Sequence, residues 1–384
     1  MNRNQKMQIA RIQLAKPILD DEMKEAAIYA LQNERFVLGE SVHKFEEEFA
    51  RYCGTQFALS TSSGTAALSL SLMALGIGAA SDEVITSPLS FVASANSIIH
   101  AGATPRFADV NLQTYTLDPN SVLASLANHE TKAVIPVHLY GFPAAMDELR
   151  EAAHQHKFAL VEDACQAHGA SYKGRIVGSI GDVGCFSFYP SKNMTVGGDG
   201  GMIVTNDDTI AESVTSLRNC GRVKGSNYIH DKVGFTQRLN TVQAAIGRVQ
   251  LKRLDKWNER RRGTAAKYDE LLSDLEEVVT PPRGDRDSRP VYHLYVIRCA
   301  RRDELRAWLG ERGVETGIHY PAPIHLQPIY RKMFGFRGGE FPRSEEVCRD
   351  VLSIPMHPNL SPNEIEFVSE SIHEFYRKEA GRLG

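Results

Sequence analysis

Residues 132–164 read KAVIPVHLYGFPAAMDELREAAHQHKFALVEDA, and their order decides the fold class. Two apolar runs, 132–141 and 157–164, flank the stretch 146–157, which patterns as an amphipathic helix. Strand, helix, strand over this length is the repeating unit of a parallel sheet, because parallel neighbours need a crossover connection. The same alternation extends towards the N-terminus. QFALSTSS (56–63) enters the helical GTAALSLSLMALG (64–76), EVITSP (83–88) precedes the helical SFVASANSIIHAG (90–102), and TPRFADV (104–110) is a further apolar run. An α/β fold with a mainly parallel sheet and helices on both faces is predicted.

Before residue 56 two helices are expected. DDEMKEAAIYALQNE (20–34) opens with acids and SVHKFEEEFARYCG (41–54) closes on glycine, suiting a helix start and a helix stop. CFSFYP (185–190) and GGMIVTN (200–206) read as strands around a glycine-rich loop. From Thr241 the apolar residues Val242, Ile246, Val249, Leu254 and Trp257 predict one long helix running past Tyr268 as a connector. PPRGDRDSRP (281–290) is a loop, VYHLYVIRCA (291–300) a strand, RRDELRAWLGERG (301–313) a helix and ETGIHYPAP (315–323) extended. SPNEIEFVSESIHEFYRKEA (361–380) has a serine at the N-cap of a last helix. The expected division is a large domain, 1–249, and a smaller α+β domain, 250–384.

Composition narrows the function. The chain has 384 residues, 42% of them hydrophobic, and a net charge of -3, which does not suit a nucleic-acid binder. The run Glu259-Arg260-Arg261-Arg262 is read as a solvated helix face rather than a nucleic-acid contact. Cys53, Cys165, Cys185, Cys220, Cys299 and Cys348 form no C-x-x-C pair, so no metal site is expected and a reducing, cytoplasmic location is. The N-terminus lacks the apolar core of a signal peptide, and no apolar run is long enough to span a membrane.

Three segments carry chemistry. Ser62-Ser63-Gly64-Thr65 lies where a strand feeds a helix, and the open N–H groups of a helix start form an anion site. Asp163 ends an apolar strand, at the edge where open α/β sheets bind ligands. Ser187-Phe188-Tyr189-Pro190-Ser191-Lys192-Asn193 leads into Gly197-Gly198-Asp199-Gly200-Gly201, and a lysine in such an apolar, proline-set loop suits Schiff-base chemistry. Singly, these are a common cap, a common turn residue and a loop lysine. In this order they match the needs of a pyridoxal-phosphate enzyme: a phosphate cup, an acid for the ring nitrogen and a lysine.

The chain resembles the DegT/DnrJ/EryC1/StrS family of pyridoxal-phosphate-dependent sugar aminotransferases. The likeness runs from AKPILDDEM (15–23) and RFVLGESVHKFEEEFARYCG (35–54) through SSGTAAL (62–68), residues 82–110, VEDACQAHGA (161–170) and SFYPSKN (187–193) to GIHYPAPIHLQP (317–328) and LSIPMHP (352–358). It implies the aspartate-aminotransferase-like fold (fold type I), with a seven-stranded sheet in the large domain, and a homodimer with active sites at the subunit interface. By that resemblance Lys192 forms the internal aldimine and moves the proton, and Asp163 pairs with the pyridine nitrogen. Gln166 contacts the cofactor, Gly64, Thr65 and Ser187 hold its phosphate, and Phe91 stacks on its ring. Thr236 stands where the family commonly has an asparagine reaching the partner's phosphate, a departure that shortens the reach. Arg238 matches the family and is expected to bind substrate through a carboxylate or diphosphate, bidentately, while His319, Tyr320 and His325 border the sugar-nucleotide cleft and His168 has similar standing. The implied reaction is ping-pong transfer of the L-glutamate amino group to a keto group of a nucleotide-linked sugar. A keto-cyclitol acceptor, or a non-catalytic regulatory or sensor role, is the alternative. Related dehydratases replace the lysine with histidine, which Lys192 argues against.

Overall fold

A computed structural model describes residues 11–126 and 130–383. The first ten residues, on which part of the reading of the N-terminus rests, lie outside the described residues. The strands are β1 (Phe57–Thr61), β2 (Glu83–Thr86), β3 (Thr104–Phe107), β4 (Thr131–Ile135), β5 (Ala159–Asp163), β6 (Ser171–Tyr172), β7 (Arg175–Ile176), β8 (Val183–Ser187), β9 (Gly201–Thr205), β10 (Val278–Val279), β11 (Ser288–Arg289), β12 (Tyr295–Cys299) and β13 (Val351–Ile354). The helices of the first half are α1 (Asp21–Asn33), α2 (Glu40–Cys53), α3 (Gly64–Ala74), α4 (Ala93–Ala101), α5 (Pro119–Leu126), α6 (Met146–His156) and α7 (Asp208–Leu217). They are followed by α8 (Thr241–Leu251), α9 (Leu254–Leu271), α10 (Arg302–Glu311), α11 (Pro328–Phe334), α12 (Pro342–Asp350) and α13 (Pro362–Leu383).

Seven strands form the main sheet in the order β1-β9-β8-β5-β4-β2-β3. Every neighbouring pair from β8 to β3 is parallel, and β9 alone runs against both of its neighbours, β1 and β8. The strands read as continuous apolar runs because helices cover both faces, leaving little room for polar alternation. On one face α2 inserts Phe45 and Phe49 against Phe186 and Phe188, with ring centroids 5.0 Å apart for Phe49–Phe186 and 5.3 Å for Phe45–Phe188. All four rings are fully buried. Phe49→Ala should therefore cost roughly 3–5 kcal/mol of stability, the usual loss for a buried phenylalanine. A denaturant titration reading a lower midpoint at constant slope checks this.

Local signals behave as read. Asp20 caps α1 by accepting from Met23 N–H, and α2 stops at Gly54 in the left-handed region (φ +73°). Ser361 and Glu364 form a reciprocal capping box at α13. The predicted long connector helix is instead two helices. At the break Arg253 N–H reaches back only to Gln250, while its guanidinium pairs with Asp20 and Glu22. These contacts turn the chain out of α8 before α9 begins.

A second core gathers Tyr268, Tyr295, Leu305, Leu309, Val368 and Ile372 around the antiparallel sheet β10-β12-β13. Ile12 belongs to this core and bridges to Val314, and α9 carries Ala265 and Tyr268 into it. The expected boundary after residue 249 falls inside α8. The charge run on α9 is not wholly solvated: Glu259 and Arg260 are exposed, but Arg261 is buried. Helical rotation explains this, since Arg261 shares a face with the buried Trp257, Asn258 and Tyr268. No described helix is long and apolar enough to cross a membrane.

Candidate active site

The parallel strands deliver their C-terminal ends to one edge of the sheet. Thr61 ends β1 and leads into α3, Asp163 ends β5, and Ser187 ends β8. Ser63 caps α3: its side chain accepts from Ala66 N–H and its carbonyl from Ala67 N–H. That leaves the amides of Gly64 and Thr65 with no acceptor among the described residues, as a helix start that binds an anion requires. A Cβ on Gly64 would lie 2.7 Å from Ser187 Cβ and 2.8 Å from Cys165 Sγ. Glycine is what lets α3 seat directly on the ends of β5 and β8.

Asp163 is buried and held twice. Its Oδ2 accepts from Ser94 Oγ at 2.7 Å, and its Oδ1 accepts from Cys165 N–H at 3.2 Å. Ser94 is in turn hydrogen-bonded to Ser90 at 2.8 Å. Lys192 sits on the loop between β8 and β9 and retains partial access to solvent. Its backbone N–H donates to the Tyr189 carbonyl at 2.9 Å. Burial pushes its ammonium below the ordinary lysine range, while first Cys165 and then Asp163 pull the other way. The result is an amine that gives up its proton more readily than an exposed lysine, beside a fixed carboxylate, the direction in which a carbon-attacking nitrogen is tuned.

Gln166 is oriented at both ends. Its Oε1 accepts from Tyr140 N–H at 2.9 Å and its Nε2 donates to Tyr320 Oη at 3.1 Å. The Tyr320 ring pairs with that of Phe91, centroids 6.3 Å apart and tilted by 37°. Phe91 leaves 54% of its surface exposed, a large apolar face open at the site's rim. The Tyr140 hydroxyl donates to the His319 carbonyl, and His319 Nδ1 meets Ser353 Oγ at 2.8 Å. Burial, then Lys192, lowers the His319 imidazole to about 4, so it stays neutral at physiological pH.

Gly64, Ser187, Asp163 and Lys192 thus meet at one edge, and Gln166, Tyr320, Phe91 and His319 form a linked set beside them. His325, expected at the cleft, lies elsewhere. It is fully buried, its Nε2 is 3.0 Å from Glu345 Oε1, and Phe107, Phe336 and Phe341 pack around its ring. The short helical turn at Ile324–Leu326 directs it inward. His168 is likewise buried, against Phe186 and Phe188 at 5.4 and 5.8 Å. Thr236 and Arg238 bond to Cys220 and Asn219, on the strap between α7 and α8, and among the described residues neither bonds to a group around Lys192. Ser94, Tyr140 and Cys165 are contributors that motif spacing did not single out. Tyr140 holds Gln166 from a left-handed backbone (φ +56°), which no residue pattern announced.

The profile described as the DegT/DnrJ/EryC1/StrS aminotransferase family matches residues 17–373. This chain belongs to the DegT/DnrJ/EryC1/StrS aminotransferase family. It is 42% identical to a dTDP-3-amino-3,4,6-trideoxy-alpha-D-glucose transaminase of Streptomyces venezuelae, covering 92% of each chain. It is 41% identical to a "pleiotropic regulatory protein" of Geobacillus stearothermophilus, covering 94% of this chain and 95% of that one. Among solved structures, that of S. venezuelae DesV in complex with a ketimine intermediate superposes with a TM-score of 0.88, at 42% identity over 92% of this chain and 94% of the other. As a DegT/DnrJ/EryC1/StrS aminotransferase, the protein uses pyridoxal phosphate. The site fits that cofactor on its own geometry: open amides for a phosphate, a fixed carboxylate, and a lysine whose hold on its proton is weakened by burial. Gly64→Ala should weaken cofactor retention at least about tenfold, because the clash displaces the amides. Equilibrium dialysis of the apoprotein against pyridoxal phosphate measures it.

Proposed function

We propose that the enzyme moves the amino group of L-glutamate to a keto group of a nucleotide-linked sugar, in two half-reactions. The reading is carried by the convergence of Lys192, Asp163 and the open Gly64 and Thr65 amides at one sheet edge. The dTDP-sugar activity named for the S. venezuelae relative, at 42% identity, supports the substrate class. The intact Lys192 and Asp163 favour catalysis over a purely regulatory role, despite the name of the Geobacillus relative.

When bound, pyridoxal phosphate supplies an electron sink for the pair left as the amino-bearing carbon loses its proton. In this reading Gly64, Thr65 and Ser187 hold the phosphate, and Asp163 keeps the ring nitrogen protonated. Gln166 orients the ring edge and Phe91 covers its face. Lys192 takes the proton from glutamate and returns one to the acceptor carbon. Tyr320 and His319 line the rim where the sugar enters. The strap carrying Thr236 and Arg238 exposes Tyr228 to 91% and Val233 to 92%, apolar surface suited to cover by a second copy. In the proposed dimer this strap approaches the neighbouring site, where Arg238 binds a substrate carboxylate or diphosphate. Light scattering should then read twice the chain mass. All six cysteines are free, in keeping with a cytoplasmic location.

The test is product formation. Enzyme, pyridoxal phosphate, L-glutamate and a panel of nucleoside-diphosphate keto-sugars should yield 2-oxoglutarate and an aminated sugar nucleotide by mass spectrometry. Release of 2-oxoglutarate with none of the sugars aminated would move the acceptor to another keto compound, such as a cyclitol. No 2-oxoglutarate at all would remove the reading.

A further inference from the structure

The helix α9 carries two buried polar side chains that pair with no ionised group among the described residues, Asn258 at 1% and Arg261 at 4% exposure. Asn258 is bonded at both ends of its carboxamide, and Arg261 donates through Nη1 to backbone carbonyls while its buried Nε has no partner among the described residues. Asn258 Oδ1 accepts from Asn193 Nδ2 at 2.8 Å, and Asn193 is the residue after Lys192. Asn193 Nδ2 also donates to the Val291 carbonyl at 3.1 Å. The other end of Asn258 donates from Nδ2 to the His168 carbonyl at 2.7 Å. His168 closes the segment that carries Asp163 and Gln166. Close approach is possible because the next residue is Gly169, at φ +81°: a Cβ there would lie 2.7 Å from Asn258 Nδ2 and 2.4 Å from Tyr52 Oη.

One carboxamide therefore joins the two loops whose groups must meet the same ligand. It accepts from the Lys192 loop and donates to the Asp163–Gln166 loop. Its carboxamide orientation is set by the partners, since Asn193 offers a donor and His168 a carbonyl. One turn further on, Arg261 Nη1 donates to the carbonyls of Tyr292, His293 and Met356 at 3.1, 3.3 and 3.1 Å. Those carbonyls belong to the approach to β12 and the exit from β13, in the second core's sheet. Asn258 and Arg261 lie on one face of α9, three residues apart.

We propose that Asn258 is a positioning residue for Lys192, fixing the separation between the lysine loop and the Asp163–Gln166 loop, with Arg261 tying that separation to the second unit. The inference rests on the reading of Lys192 as the cofactor lysine. Asn258 touches neither cofactor nor substrate in this scheme. It acts through Asn193 and the His168 carbonyl. The burial that lowers the lysine's affinity for its proton depends on the loop staying seated.

Asn258→Leu keeps the volume and removes both hydrogen bonds, and Asn258→Asp keeps the acceptor for Asn193 but loses the donor to His168. Two readouts are taken on each. In the holoenzyme, kcat should fall roughly 10- to 100-fold in the leucine variant and less in the aspartate variant, as for a displaced reacting group. KM for both substrates should stay within about twofold. In the apoprotein, the pH midpoint for acetylation of Lys192, followed by peptide mass spectrometry, should rise towards that of an exposed lysine. Wild-type kcat and an unmoved midpoint in folded Asn258→Leu would overturn the proposal. A lower melting temperature with both readouts unchanged would also overturn it, leaving only a packing role. Should Asn258→Leu fail to fold, Asn193→Ala removes the same bond from the loop side and is read by the same criteria. Borohydride treatment of the loaded wild type separates the two claims: cofactor mass on Lys192 upholds the functional reading whatever Asn258 does, and its absence ends both.

Discussion

Lys192→Ala is expected to lower kcat by roughly 10⁴-fold or more, the scale on which removal of a covalent-catalysis residue acts. In the proposed function the effect is large because one side chain has two tasks: it binds the cofactor covalently and it carries the proton between carbons. No neighbour can stand in. Burial raises the Cys165 thiol well above its ordinary range, and His168 is held neutral by burial at about 3 with its ring packed on phenylalanines. The variant should fold, since the lost chain is half-buried and its loop is held by the Lys192 N–H to Tyr189 bond and by Thr195 Oγ1 donating to the Phe188 carbonyl at 2.9 Å. Single-turnover release of 2-oxoglutarate measures the loss. Added methylamine should restore part of it, because a free amine can take up the proton-carrying role. Turnover near wild type in the variant would end the assignment of this lysine.

Asp163→Asn should cost roughly 10²–10³-fold in kcat, the range for removing one fixed electrostatic contact to a developing charge. Asparagine preserves shape, and Cys165 N–H can still find an oxygen at position 163. What disappears is the negative charge that, in the proposed function, keeps the cofactor's ring nitrogen protonated. Ser94 Oγ, 2.7 Å from Oδ2, would then face an amide and turn to accept. Stability should change little, so the loss will appear in kcat at unchanged melting temperature. A loss of less than about fivefold would show that the carboxylate does not serve a ring nitrogen.

The parts of this site that could be read from the chain are those tied to strand ends. Gly64, Asp163 and Ser187 each follow an apolar run, and runs buried on both faces are conspicuous in a sequence. Lys192 was legible because proline and glycines bound its loop. What stayed hidden depends on contacts between distant segments. Ser94 reaches Asp163 across 69 positions, and Asn258 reaches Asn193 across 65. Residue type alone also misleads about direction. His325 and His319 sit in the same proline-rich segment, yet the ring of one faces an aromatic cluster and the ring of the other meets Ser353 Oγ. Arg261 was hidden by its charged neighbours, although the 3.6-residue period placing it with Trp257 and Tyr268 was present. The break between α8 and α9 had no local marker, since Lys252 and Arg253 are good helix formers and the turn is imposed by pairing with Asp20 and Glu22.

The reversal of β9 has a consequence for how freely this enzyme can vary. Because Ser187 and Gly201 are paired across β8 and β9, the segment between them begins and ends at adjacent points of the sheet. Lengthening such a closed segment is thermodynamically mild, about 0.6 kcal/mol for each doubling. Its length is therefore policed by side chains rather than by chain geometry. The arm from Phe188 to Thr195 is pinned at several atoms, whereas Gly197 to Gly200 carries few anchors. Insertions in nature or by design should be tolerated on the glycine arm and rejected on the other, although both arms hang from the same two strands.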